Sequence, residues 1–279
     1  MKILNLLAVL FISSSLFAGG PWGQEKGKAY LQFGGGFIPS TNQLFFKANE
    51  TLNLNRRVSD ANVGLYAEYG LLKNFTVIAE LPINFVATSS EIEPNATSSL
   101  LPSGSLAGFG NTRLTAQYLF YEGTIKLAGG IKFSLPTAIT EAETGLRTGY
   151  QSFDVMPRLS AGYSKGKFYS YSEIGYNFRT KLANDIHISA EAGYKVYKEI
   201  YVALNFGALL SSLDRNELIL NDEQTGLYAN GQEFAALTLK LSFPIKNNIG
   251  FNLSSTASNF HGNLVQKSPA FGASLYWKI

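Results

Sequence analysis

The sequence predicts an all-β fold: a transmembrane, antiparallel, up-and-down β-barrel of about twelve strands. Three observations carry that expectation. Apolar and polar residues alternate with period two over segments of about 11–13 residues, whereas globular strands run near five or six and a bilayer demands roughly 9–11. Charged residues make up only 15% of the chain and aromatics 13%, mostly Tyr and Phe. Beyond the N-terminus no stretch offers the roughly 18 consecutive apolar residues of a spanning helix, so the apolar content has to be spread by alternation.

Taken in order, residues 1–18 read as a secretory signal peptide. Lys2 is the charged start, Ile3 to Ile12 the apolar run, and Ser13 to Ala18 the lead to a small residue, with cleavage after Ala18. Gly19, Gly20 and Pro21 end the run too soon for a retained membrane helix, which leaves 19–279 for the barrel. The absence of cysteine excludes a lipoprotein anchor and a disulfide framework. Losing Lys2 takes the formal net charge from +3 to +2, and without a basic cluster nucleic acid is not an expected partner.

Spans are expected at about 27–37, 61–72, 74–87, 110–121, 124–135, 152–164, 167–179, 185–197, 199–211, 233–244, 247–258 and 267–279. The pattern is plainest at 124–135, where Ile125, Leu127, Ile131, Phe133 and Leu135 oppose Thr124, Lys126, Lys132 and Ser134. Leu114, Ala116, Tyr118 and Phe120 form a second outer row, and Val155, Pro157, Leu159, Ala161 and Tyr163 a third. The final row, Phe271, Ala273, Leu275, Trp277 and Ile279, resembles the C-terminal assembly signal of bacterial outer-membrane barrels, so the assembly machinery and a lipid bilayer are expected partners.

Tight connections (Leu72–Asn74, Tyr121–Gly123, Ser164–Lys167, Tyr197–Glu199, Pro244–Asn247) alternate with longer ones at 38–60, 88–109, 136–151, 212–232 and 259–266, and a brief one near 180–184. Short periplasmic turns and long extracellular loops have this form. Gln43 to Ala48 looks locally like a thirteenth strand, but a full span there would leave an odd number and put the turn at Lys73 outside. The stretch 38–60 is therefore expected as an outer loop, a hairpin rising above the membrane. Outward aromatics near the turns suit an interfacial girdle. A soluble β-sandwich is the alternative, with shorter strands and more even turns.

If the apolar faces meet lipid, the other faces line a lumen. Candidate lining residues are Tyr66, Arg113, Lys126, Lys132, Arg158, Tyr169, Tyr171, Glu173, Glu191, Lys195, Tyr201 and Lys240. Mixed charge of this kind either registers a filled interior or lines a channel. Rings with hydroxyls suit a solute that is part apolar and part polar. Leu100, Leu101, Leu106 and Phe109 make the second long connection unusually apolar, a candidate plug or greasy entrance.

Catalytic and metal motifs are weak. Gly162-Tyr-Ser-Lys-Gly166 fits G-x-S-x-G, yet a second strand pattern follows instead of the helix that a nucleophile elbow needs. His187, Ser189 and Glu191 share a strand face, but neighbours two apart stand roughly 7 Å from each other, too far for a triad. Two histidines and no cysteine provide no metal-ligand cluster. No catalytic residue, metal or cofactor is expected.

Gly108-Phe-Gly-Asn-Thr-Arg-Leu114, Gly129-Gly-Ile-Lys-Phe-Ser-Leu-Pro-Thr137 and Thr148-Gly-Tyr-Gln-Ser-Phe-Asp154 resemble the outer-membrane transporter family of the MetA pathway of phenol degradation, itself akin to fatty-acid and aromatic channels. The likeness is best over about 108–178. Asn111 stands where Asp is expected and Ala138 where Gly commonly follows the Pro-Thr pair. The resemblance implies a bacterial outer-membrane channel for passive uptake of small hydrophobic or aromatic molecules. The alternatives are a lipid-modifying hydrolase in the same membrane and a closed structural barrel.

Overall fold

The computed structural model describes residues 20–46, 50–96, 101–213, 225–246, 248–257 and 261–279; the predicted signal peptide lies outside them. The described residues form one antiparallel sheet of fifteen segments that closes on itself. Nine segments are continuous, or nearly continuous, staves in chain order. They are β1 (Ala29–Phe46), β2 (Glu50–Leu72), β3 (Phe75–Thr88), β6 (Ile125–Leu135), β7 (Asp154–Lys165), β8 (Phe168–Arg179), β9 (Asp185–Tyr197), β10 (Ile200–Ser211) and β11 (Glu233–Lys246). Between β3 and β6 lie β4 (Gly104–Phe109) and β5 (Thr112–Glu122), and after β11 come β12 (Ile249–Thr256), β13 (His261–Asn263), β14 (Val265–Gln266) and β15 (Ala270–Lys278). β10 pairs with β11, and β15 pairs with both β12 and β1, which closes a twelve-stave barrel with no free edge. At the seam Ile279 donates its N–H to Ala29 at 2.8 Å and accepts from it at 3.1 Å.

One stave differs from the sequence expectation, for a local reason. β4 and β5 share one neighbour: β4 pairs with Ile83–Thr88 and β5 with Phe75–Glu80, with the break at Gly110-Asn111. Residues 104–109, expected as loop, thus extend a stave upward. The hairpin β1–β2 is 18 and 23 residues long and stands far above the bilayer, since at about 3.3 Å per residue it exceeds a core of about 30 Å. Register shifts between Ile38 and Gln43 bend its upper part, as bulges do.

Tight periplasmic turns use left-handed backbone where a hairpin needs it: Asn74 (φ 62°), Gly166 (φ 62°) and Lys198 (φ 44°). The G-x-S-x-G match is such a turn, between β7 and β8. Outward rows are exposed around the wall, with Leu65, Leu81, Leu114, Ile131, Leu159, Ile174, Leu204, Leu239 and Leu275 at mid-height. Aromatics band both rims: Tyr118, Tyr194, Tyr197 and Trp277 below, Phe85, Phe109, Phe133 and Phe178 above. A continuous exposed apolar wall is stable only against lipid, and a closed barrel satisfies every wall hydrogen bond there.

Candidate functional site

The inward face carries a belt of charge at mid-height. Glu80 on β3 sits directly opposite Arg113 on β5. Arg113 Nη1 donates to Glu80 Oε2 at 3.0 Å, and Lys132 Nζ lies 3.6 Å from the other oxygen. Next along the same wall Arg158 Nη1 donates to both oxygens of Glu173, at 3.0 and 2.8 Å, while its Nη2 donates to Gln117. Glu191 accepts from Lys240 Nζ at 2.5 Å and from the Tyr169 hydroxyl at 2.8 Å. Glu68 accepts from the Tyr66 hydroxyl and from Gln24 Nε2, each at 2.5 Å.

Gln24 belongs to a short segment that enters the lumen from the periplasmic end. Gly20 accepts from Gln117 Nε2 at 3.2 Å, and the Gln24 N–H donates to Thr76 Oγ1 at 2.9 Å. Trp22 meets Tyr169 and Tyr171 edge-on, at 6.0 and 5.8 Å between ring centroids. Inward glycines make the room. A Cβ on Gly70 would stand 2.0 Å from the Glu25 carbonyl oxygen, and one on Gly162 would stand 2.6 Å from Pro21. The segment occupies the β2–β3–β5–β7 side of the periplasmic half and leaves the opposite side open.

The extracellular end is capped by apolar residues. Leu44, Leu54 and Val58 from the tall hairpin, Val86 from β3, and Leu101, Leu146 and Leu227 from the loops form one buried cluster, with Leu106 packed against it. Below it the Tyr150 and Tyr228 rings meet edge-on at 5.5 Å, and Asn84 Nδ2 donates to the Tyr228 hydroxyl at 2.7 Å. Burial pushes the Tyr150 phenol up to about 12 and raises the Tyr228 phenol well above its ordinary value, so both stay protonated near neutrality. Leu54 is fully buried. Leu54→Ala is expected to cost about 2–5 kcal/mol locally. Limited proteolysis checks this: cleavage should quicken in the hairpin and neighbouring loops while the barrel below stays intact.

Two cavities lie between cap and periplasm. The upper one, about 410 Å³, reaches from Tyr150 and Tyr228 down to Tyr171; the lower one, about 680 Å³, runs beside Trp22 to Lys167, Glu199 and Lys278 at the periplasmic rim. Gln32, Tyr171 and Lys240 line both, so the cavities adjoin.

Of the sequence-predicted lining residues, Tyr66, Arg113, Lys132, Arg158, Tyr171, Glu173 and Lys240 line the upper cavity, and Tyr169, Glu191 and Tyr201 the lower. Lys126 and Lys195 line neither: each reaches across a periplasmic turn, to Glu122 at 2.6 Å and Glu199 at 2.9 Å. Leu101 and Leu106 join the cap, and Leu100 lies outside the described residues. Phe109 does not plug the lumen. Antiparallel pairing sets it opposite Ile83, on the lipid side, where it is 56% exposed. The Gly20–Gln24 segment and the Tyr150–Tyr228 pair are what the sequence reading missed; only the inward glycines of β2 and β7 hinted at the former.

The strand face of His187, Ser189 and Glu191 does not assemble a triad. His187 Nε2 lies 2.6 Å from Asp185 Oδ1, poorly aligned for a hydrogen bond. Ser189 accepts from Asn205, and Glu191 is held by Lys240 and Tyr169.

The fold is similar to that of the COG4313 outer membrane channel from Pseudomonas putida F1, with TM-score 0.68 and 12% identity over 95% of this chain and 100% of that one. Two structures described as monoaromatic hydrocarbon channels superpose more loosely, both at TM-score 0.48. The TodX deltaS2S3 mutant is 7% identical over 92% of this chain and 91% of its own, and CymD 9% identical over 92% and 89%. No curated protein matches the chain. The match that extends over most of the sequence is at the level of family: over residues 31–265 the chain fits, and belongs to, the family described as "Putative MetA-pathway of phenol degradation".

Proposed function

We propose that this protein is a bacterial outer-membrane channel for passive uptake of small hydrophobic or aromatic molecules, exported by way of the 1–18 signal peptide and folded by the outer-membrane assembly machinery. The observation that carries the reading is the pair of adjoining cavities inside a lipid-facing barrel, under an apolar cap and lined by tyrosines. An apolar entrance lets a greasy solute leave water early, and hydroxylated rings hold it loosely enough to pass on. Leu101 and Leu106 belong to that entrance, and the charged belt with Tyr66, Tyr169, Tyr171 and Tyr201 gives selectivity. Family membership and the likeness of fold to an outer-membrane channel support the same reading.

The test is uptake into porin-deficient Gram-negative cells with and without this chain. Labelled p-cresol at low micromolar concentration should enter several-fold faster with the protein present, while entry of a hexose is little changed. Equal cresol rates overturn the proposal. Release of hydrolysed lipid by the purified protein would favour a hydrolase instead.

A further inference from the structure

The lining of the upper cavity is unbalanced in charge. Arg113, Lys132, Arg158 and Lys240 line it as permanent cations, against Glu80 and Glu173 as carboxylates. Arg158 is matched by Glu173, and Lys240 by Glu191, which lines only the lower cavity. Glu80 alone serves both Arg113 and Lys132, at 3.0 and 3.6 Å. Within the Arg113–Glu80–Lys132 cluster one positive charge is therefore left over. The surplus faces the open space: the side chains of Arg113 and Lys132 are 31% and 24% exposed, that of Glu80 16%. Glu68 is held elsewhere, by the Tyr66 hydroxyl and Gln24 Nε2, and lines the lower cavity.

Around this surplus stand rings. Tyr66, Tyr150, Tyr171, Tyr228 and Phe234 line the same cavity, with Met156 among them. Tyr150 and Tyr228 already meet edge-on, an arrangement that accepts a third ring at comparable spacing. The volume, about 410 Å³, lies within the range of small-molecule sites.

We propose that the upper cavity is a binding site for an aromatic monocarboxylate, its single negative charge seated on the Arg113–Lys132 pair and its ring among the tyrosines. A monoanion matches the one surplus charge of that cluster; a dianion would bring a second charge with no partner there. The assignment rests on the channel reading, since it names the solute class the lumen would prefer.

Equilibrium dialysis of the full chain in lipid nanodiscs tests it, with empty nanodiscs as the blank and benzoate, benzamide and benzylamine as probes. Benzoate should bind about tenfold more tightly than benzamide, as a charge-assisted contact allows, with benzylamine weakest. Lys132→Gln removes the surplus and should bring benzoate to the level of benzamide. Glu80→Gln enlarges the surplus and should tighten benzoate, so the two variants move it in opposite directions. Retained heat-modifiable mobility on gels reports folding of each variant. In the unmodified protein, raising salt from 50 to 500 mM should shrink the benzoate advantage, a readout that needs no variant to fold. Equal binding of the three probes, an advantage indifferent to salt, or parallel shifts in the two variants would overturn the site. If benzoate binds as expected while cresol uptake shows no effect, the site stands and the channel reading falls; cresol uptake without benzoate preference gives the reverse.

Discussion

Deleting Gly20–Gln24 is expected to raise conductance in planar bilayers roughly two- to threefold, because a pore conducts in proportion to its free section at the narrowest point. The segment fills one side of the periplasmic half with Pro21 and Trp22, whose neighbours are Gly162, Tyr169 and Tyr171. It holds on by hydrogen bonds from Gln117 to Gly20 and from Gln24 to Thr76 and Glu68. Each is worth about 0.5–1.5 kcal/mol, far less than a closed ladder of twelve staves, so the barrel should survive the deletion. Gly162→Val offers an independent route to the same state, since its Cβ would stand 2.6 Å from Pro21. Conductance equal to that of the intact chain in both variants would mean that the narrowest point lies elsewhere, at the cap.

These contacts also show why the lumen was only partly legible in the sequence. Where one strand face meets lipid and the other meets water, period two is imposed twelve times, and rows such as Ile125–Leu135 declare themselves. Above the bilayer that pressure lapses. The upper hairpin carries Asn53, Asn55, Arg56 and Arg57 beside buried Leu54 and Val58, so no single outward row announces it. β4 is masked by Gly104, Gly108 and Gly110, which read as loop. The segment inside the lumen has no periodicity at all, and its partners lie 44, 52 and 97 residues away. Which charges line the lumen could be read from alternation. Which carboxylate serves which cation could not, because Glu80 meets Arg113 and Lys132 only through the cross-strand register of β3, β5 and β6.

Arg179→Met is expected to be among the most destabilising single changes in the protein, at about 3–5 kcal/mol, because it strands two buried carboxylates. Arg179 Nη1 lies 2.9 Å from Asp185 and Nε 3.6 Å from Asp154, with all three side chains under 8% exposed. Its guanidinium also stacks over the Tyr150 ring at 4.1 Å. Arg179 is the one permanent cation within 4 Å of either carboxylate among the described residues, the nearby His187 being charged only when protonated. The position explains the size of the effect. Asp154 begins β7, Arg179 ends β8, Asp185 begins β9, and Tyr150 comes from the loop that also delivers Leu146 to the cap. One guanidinium thus ties the outer ends of three consecutive staves to the lid above them. Urea midpoints of the folded, heat-modifiable band check the prediction, and Arg179→Lys should recover only part of the loss, because an ammonium cannot reproduce the flat, forked contact. Removing all three charges together, with Arg179→Met, Asp154→Asn and Asp185→Asn, should restore most of the stability lost in the single variant. If the triple variant is no more stable than the single one, the loss lies in the ring stacking and packing of Arg179, and the cluster is not held by charge.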